Sequence, residues 1–226
     1  MGFFSISKKK VIILSKINEE QRKKIENMTE LLWIEVVKAN SYFDLINLIS
    51  NYKKDYSKEM NLSLAFYNVT YMGLIDACFS IVSRLYDKNG KNTIGNLLDY
   101  CKKNPILIVS IQNEIWKKEI SVDYFESTLN KIEDDYETIK DKVDNLKSVR
   151  DKVISHNDFN SGANRVKYIE ENPISYEDMK ELIGFSSVFV QLIIAYITTV
   201  NRDVHANNIT DLKNTLLVIQ RNMTKE

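Results

Sequence analysis

Two prolines and six glycines in 226 residues leave few places where a helix is forced to stop. Long helices are the consequence. Two cysteines, Cys78 and Cys101, are too few for a disulfide framework. Cys78 stands in an apolar run, where a reduced and buried thiol is expected, and that favours a cytoplasmic protein. Two histidines, His156 and His205, with no H-E-x-x-H and no C-x-x-C, give no basis for a metal site, so no metal or other cofactor is expected. Neither a Walker A loop nor a G-x-G-x-x-G loop occurs, which sets aside an NTPase or a dinucleotide enzyme. Net charge is also lacking. The 31 basic residues equal the 31 acidic ones, so no overall positive field draws nucleic acid, and any RNA contact depends on local clusters such as Ser7 to Lys10.

No export signal is legible at the start of the chain. The basic cluster follows the first apolar residues, "VIIL" is too short for a signal core, and Ile6 stands where myristoylation wants Ser or Thr. Triplets such as Asn68 to Thr70 then carry no glycosylation meaning. From Leu182 to Asn201 the chain is uncharged, and about 20 apolar residues would span a membrane. Ser186, Ser187, Gln191, Thr198 and Thr199 interrupt that run, so the centre of a bundle or a dimer face is expected, and no membrane.

What is present reads as helix throughout. No repeat, low-complexity tract or linker divides the chain, which fits one domain over residues 1–226, with a core at about 18–200. A first helix is expected from about Asn18 to Asn51, with a break near Asn40 and Ser41, and a second from about Lys58 to Asp87, before the turn signal "DKNGKN". Shorter helices follow around Thr93 to Asn104 and from Pro105 to about Lys118. A long one runs from Ser121, a plausible N-cap, to about His156, and "NDFNSG" stops it. "SYED" at Ser175 to Asp178 reads as a capping box for the uncharged helix. A last helix covers about 206–223, with Ile209, Leu212, Leu216, Leu217 and Ile219 on one side. The fold class is all-α, an antiparallel helical bundle with additional flanking helices.

The long helix carries the clearest pattern. Val122, Phe125, Leu129, Ile132, Tyr136, Ile139, Val143 and Leu146 alternate steps of three and four, the seam of a bundle helix. The next position in that rhythm is Arg150, although Val149 beside it can share the role. Arg150 and His156 would flank Val153 by roughly 60° on either side and stand about 9 Å apart along the axis, within reach of one pocket. A guanidinium stays charged, so a buried Arg150 needs a carboxylate, carbonyls or a phosphate. On the second helix Asp76, Ser80, Ser83, Arg84 and Asp87 share a stripe about 100° wide, which faces either solvent or such a pocket. A histidine near a helix C-terminus suits proton transfer near neutral pH, or else merely caps the helix.

"VRDKVISHND", Val149 to Asp158, resembles the signature of the HEPN superfamily, an arginine followed by a polar residue and then a histidine. The wider pattern, "SRLYD" at Ser83 to Asp87 and "TIGNLL" at Thr93 to Leu98 ahead of that segment, resembles the AbiU-type abortive-infection branch. The resemblance implies a metal-independent endoribonuclease in which the 2′-hydroxyl of RNA attacks the adjoining phosphate and leaves a 2′,3′-cyclic phosphate. It makes His156 the general acid or base, Arg150 the phosphate ligand and Asp151 an auxiliary polar group. Asn157, Asp76, Arg84 and Asp87 would support the site or contact RNA. It further implies a homodimer with the site at the interface, a setting in antiphage defence or as a toxin, and a nucleotidyltransferase-like antitoxin as the usual partner. Two other readings stay open: a HEPN-like RNA- or nucleotide-binding or protein-interaction module without catalysis, and a plain bundle whose Arg150 only pairs with Asp76 or Asp87.

Overall fold

A computed structural model describes residues 8–117, 119–151, 171, 173–205 and 211–223, with side chains from Glu19 onward. Helix α1, Lys8–Asp55, is 48 residues long and forms the spine. It is followed by α2 (Ser57–Asn61), α3 (Leu64–Leu85), α4 (Ile94–Lys103), α5 (Pro105–Trp116), α6 (Val122–Thr138), α7 (Lys140–Val149), α8 (Tyr176–Ile197) and α9 (Asp211–Met223). Among the described residues there is no strand, as an all-α bundle requires.

The expected break at Asn40 does not occur. Asn40 is buried and donates to the carbonyl of Val36 at 2.9 Å and to the Ser187 hydroxyl at 2.9 Å, so its amide is satisfied inside a continuous helix. The second expected helix is instead divided. Ser63 leaves the helical region at ψ 45°, which sets the short α2 apart from α3, and Tyr56, at ψ 35°, ends α1 before it, in the gap expected between the first two helices. The long seam helix also divides, at Ile139, yet the seam runs through the joint: Phe125, Leu129, Ile132, Ile139, Val143 and Leu146 are all buried. The N-cap at Ser121 holds, since its hydroxyl accepts from the Tyr124 N–H at 3.2 Å.

Helix α8 is the centre of the bundle. Its capping box is complete, with Ser175 and Asp178 bonding each other's backbone N–H at 2.8 and 3.1 Å. Leu182, Ile183, Phe189, Val190 and Ile193 are buried against α1, α3 and α5. Tyr86, at the end of α3, donates to the Leu182 carbonyl at 2.6 Å. Burial of that phenol pushes its pKa far above the ordinary value, so it is a permanent donor. Cys78 and Cys101 are both buried and their thiols are pushed up to about 12 by burial, which makes them packing groups at neutral pH.

Beyond α8, residues 201–205 are tied back to α1. Arg202 pairs with Glu30 and lies over the Trp33 ring, the Trp33 indole donates to the Asp203 carbonyl at 3.3 Å, and His205 pairs with Asp44 at 3.0 Å. Of the apolar side expected for the last helix, Leu216 is fully buried and Leu212 packs beside it against Ile49, Met60 and Tyr67. Ile209 lies outside the described residues.

Candidate active site

The core slot that the seam rhythm offered to Arg150 is filled by Val149, which is 6% exposed. Arg150 is displaced to the rim. It lies with Asp151 in a π-helical turn that follows α7, and such local widenings recur where a helix is shaped for function. Its side chain is only 17% exposed, yet among the described residues its donors are not all used. Nε donates to the Asp151 carboxylate at 2.7 Å and Nη2 bonds the same oxygen, while Nη1 stands 3.8 Å from Asp87 Oδ2. The guanidinium is thereby oriented by two carboxylates without being fully enclosed.

Asp87 is itself well placed. It opens the turn after α3, where its Oδ1 accepts from the Asn89 N–H at 3.0 Å and its carbonyl from the Gly90 N–H at 3.0 Å. Gly90 is needed there, because a Cβ would stand 2.7 Å from the Thr93 methyl. Thr93 caps α4 by accepting from the Asn96 N–H at 3.2 Å, so the "DKNGKN" turn and the α4 cap are one construction. Lys88 pairs with Asp144 on α7 at 3.2 Å. The end of α3, the turn and the end of α7 are in this way locked together around Arg150.

Of the carboxylates named for Arg150, the structure brings Asp87 and Asp151 to it. Asp76 is exposed and, among the described residues, makes no hydrogen bond or ion pair; it lies about 16 Å up α3 from Asp87 by helical rise. Arg84 turns the other way, to Glu35 on α1 at 2.6 Å and to Ser80 at 3.1 Å. Although partial burial opposes it, pairing with Arg84 and Lys38 holds the Glu35 carboxyl below its usual range. Ser83, between them on the stripe, is buried, and among the described residues its hydroxyl has no partner. His156 and Asn157 lie outside the described residues.

Residues 22–215 match the family model HEPN_AbiU2, described as AbiU2. The chain belongs to the AbiU2 family. The match covers Arg150, His156 and every other residue named for the site, and it identifies this bundle as a HEPN-type fold of the abortive-infection kind. The comparisons with curated proteins and with solved structures give no match.

Within this AbiU2 protein one polar feature was not legible as a site. An open groove of about 780 Å³ lies between α1 and α4, beside the same turn that carries Asp87. Its lysines are scattered over three segments of the chain, so no run of basic residues announced it.

Proposed function

We propose that this protein is a metal-independent endoribonuclease acting in antiphage defence or as a toxin, with Arg150 as the phosphate ligand and His156 as the general acid or base. The observation that carries the reading is the state of Arg150, an almost buried guanidinium oriented by Asp151 and Asp87, with Nη1 only loosely engaged among the described residues. A cation so held can accept a scissile phosphate without first reorganising, which is the condition for stabilising charge as it builds in the transition state. In the proposed reaction the RNA 2′-hydroxyl attacks the phosphorus, its proton passes to a base, and the departing 5′-oxygen receives a proton. His156 serves one of these transfers. The products are a 2′,3′-cyclic phosphate and a 5′-hydroxyl. Asp151 aims the guanidinium and Asp87 fixes it to the α3 turn.

The proposal includes a cytoplasmic homodimer. The apolar face near the start of α3, where Phe66, Val69 and Met72 are 65%, 74% and 57% exposed, offers a second copy a seat, but it lies about 27 Å by helical rise from Asp87, so this contact is separate from one across the Arg150 site. A nucleotidyltransferase-like antitoxin remains part of the family setting. The test is incubation of the purified protein with total RNA in EDTA, wild type against His156→Ala, with end-group analysis. Cyclic phosphate ends from the wild type alone support the reading. Cleavage that survives the substitution, or that requires added metal, contradicts it. A HEPN-like module without catalysis predicts no cleavage from either protein.

A further inference from the structure

The groove between α1 and α4 gathers cations from three segments of the chain onto one concave surface. Several basic side chains elsewhere are paired, Lys38 with Glu35, Lys88 with Asp144 and Lys102 with Glu133 among them, while Lys53, Lys54 and Lys58 make no ion pair among the described residues but line no shared groove with these. Around the groove Lys24, Lys91 and Lys103 make no ion pair among the described residues, and only Lys23 is paired, with Glu19. Asn27 and Asn92, also on its walls, have no side-chain hydrogen bond among the described residues. Three unpaired ammonium groups and two free amides on one concave surface form a donor-rich lining. Among the described residues Glu20 and Asp99 are the only carboxylates on it, so its described lining is net positive in a chain of zero net charge.

The groove has an aromatic floor and a rigid rim. Tyr100 is held by its hydroxyl, which donates to the Gln21 carbonyl at 3.1 Å, and Lys24 sits 4.9 Å from the centre of its ring. On the rim, Asn96 donates to the carbonyls of Gly90 and Lys91 at 2.6 and 3.1 Å. Lys91 is therefore held by the same turn whose first residue, Asp87, reaches Arg150. From Glu20 to Leu31 the α1 wall is about 16 Å long by helical rise. That accommodates on the order of five nucleotides at about 3.4 Å per nucleotide of one strand.

We infer that this groove is the path by which a single strand of RNA is led to the Arg150 site, with Lys24, Lys91 and Lys103 each holding a phosphate along it. The choice of RNA as the polyanion rests on the ribonuclease reading. The position of the track does not, since it follows from the lysines that line the groove and from the turn that joins Lys91 to Asp87. Catalysis and binding are then divided between neighbouring surfaces: one oriented guanidinium acts on the scissile phosphate, and a lysine-lined groove supplies affinity that salt weakens.

The test uses full-length protein carrying His156→Ala, so that RNA is not consumed, with a fluorescein-labelled single-stranded RNA read by anisotropy between 50 and 200 mM salt (conditions on the order of those in which counterion release is measured). Adding Lys24→Ala, Lys91→Ala and Lys103→Ala together should weaken binding by about tenfold or more and reduce the slope of log affinity on log salt by about 2. A control triple, Lys53→Ala, Lys54→Ala and Lys58→Ala, should leave both unchanged, and a thermal melt checks that each variant is folded. Equal affinity and slope for the groove triple and its parent would overturn the assignment, as would an equal loss in the control. A protein that binds RNA through the groove yet never cleaves it would refute the ribonuclease reading while leaving the track intact.

Discussion

Helices α3 and α8 are both 22 residues long, and their most apolar windows have mean hydropathies of 1.3 and 1.5, so by length and composition either could cross a membrane. They live in different surroundings. The window of α8 is 56% buried within the fold, that of α3 only 22%. Most of the buried residues of α3 are in its C-terminal half, where Cys78, Ile81, Val82 and Leu85 meet the core; its N-terminal half buries Tyr67 but leaves Phe66, Val69 and Met72 outside. The difference teaches that apolar content marks α8 as the hub of the bundle but gives α3 two tasks. One end anchors the turn that carries Asp87, and the other presents a surface.

Substitutions can break or sharpen this contrast. The largest expected effect is in α8: Phe189→Ala, at a fully buried position, should cost about 3–5 kcal/mol in a denaturant titration. Val69→Ser on the outer face of α3 should stay within about 0.5 kcal/mol of wild type and lower self-association in a light-scattering measurement. A large loss of monomer stability from Val69→Ser would show that the two helices are not so different. The hydrogen bond that joins them is the next test. Tyr86→Phe removes the donor to the Leu182 carbonyl and should cost about 1 kcal/mol, with the denaturation slope unchanged.

A comparable effect, confined to one helix end, concerns the start of α8. Hydrogen bonds from the Ser175 hydroxyl and N–H hold the Asp178 carboxyl below its usual range. Its folded pKa is depressed, so this contribution is complete above the unfolded value, near pH 4, and is lost as the pH falls through the folded value. Ser175→Ala should cost about 1 kcal/mol at neutral pH and flatten the acid limb of a stability–pH curve. An unaltered acid limb would remove the capping box from the account.

Much of the fold was legible. The seam from Phe125 to Leu146, the Ser121 cap and the capping box at Ser175 are local patterns of period and side-chain reach, and each appears where those rules place it. The divisions at Ser63 and Ile139 carry no proline or glycine, so nothing local announced them. Asn40 misled for the opposite reason: a residue that prefers breaks is kept in helix by Ser187, a partner 147 positions away. At the site, Asp87 and Asp151 were named and are brought to Arg150. Arg84 was named from its stripe, but Glu35 on α1 holds it elsewhere, a contact visible only once the helices are packed. The groove lysines were invisible for the same reason, since three separate segments meet to make it.

The central claim is that Arg150 works on phosphate and is not merely a structural pairing group. The direct measurement is the rate of RNA cleavage in EDTA by Arg150→Ala beside its unfolding midpoint. Because the pairs to Asp87 and Asp151 sit at a partly open rim, the account predicts a stability change of no more than about 1 kcal/mol and a loss of rate of about 100-fold or more. Cleavage at the wild-type rate, or a variant that fails to fold, would contradict it.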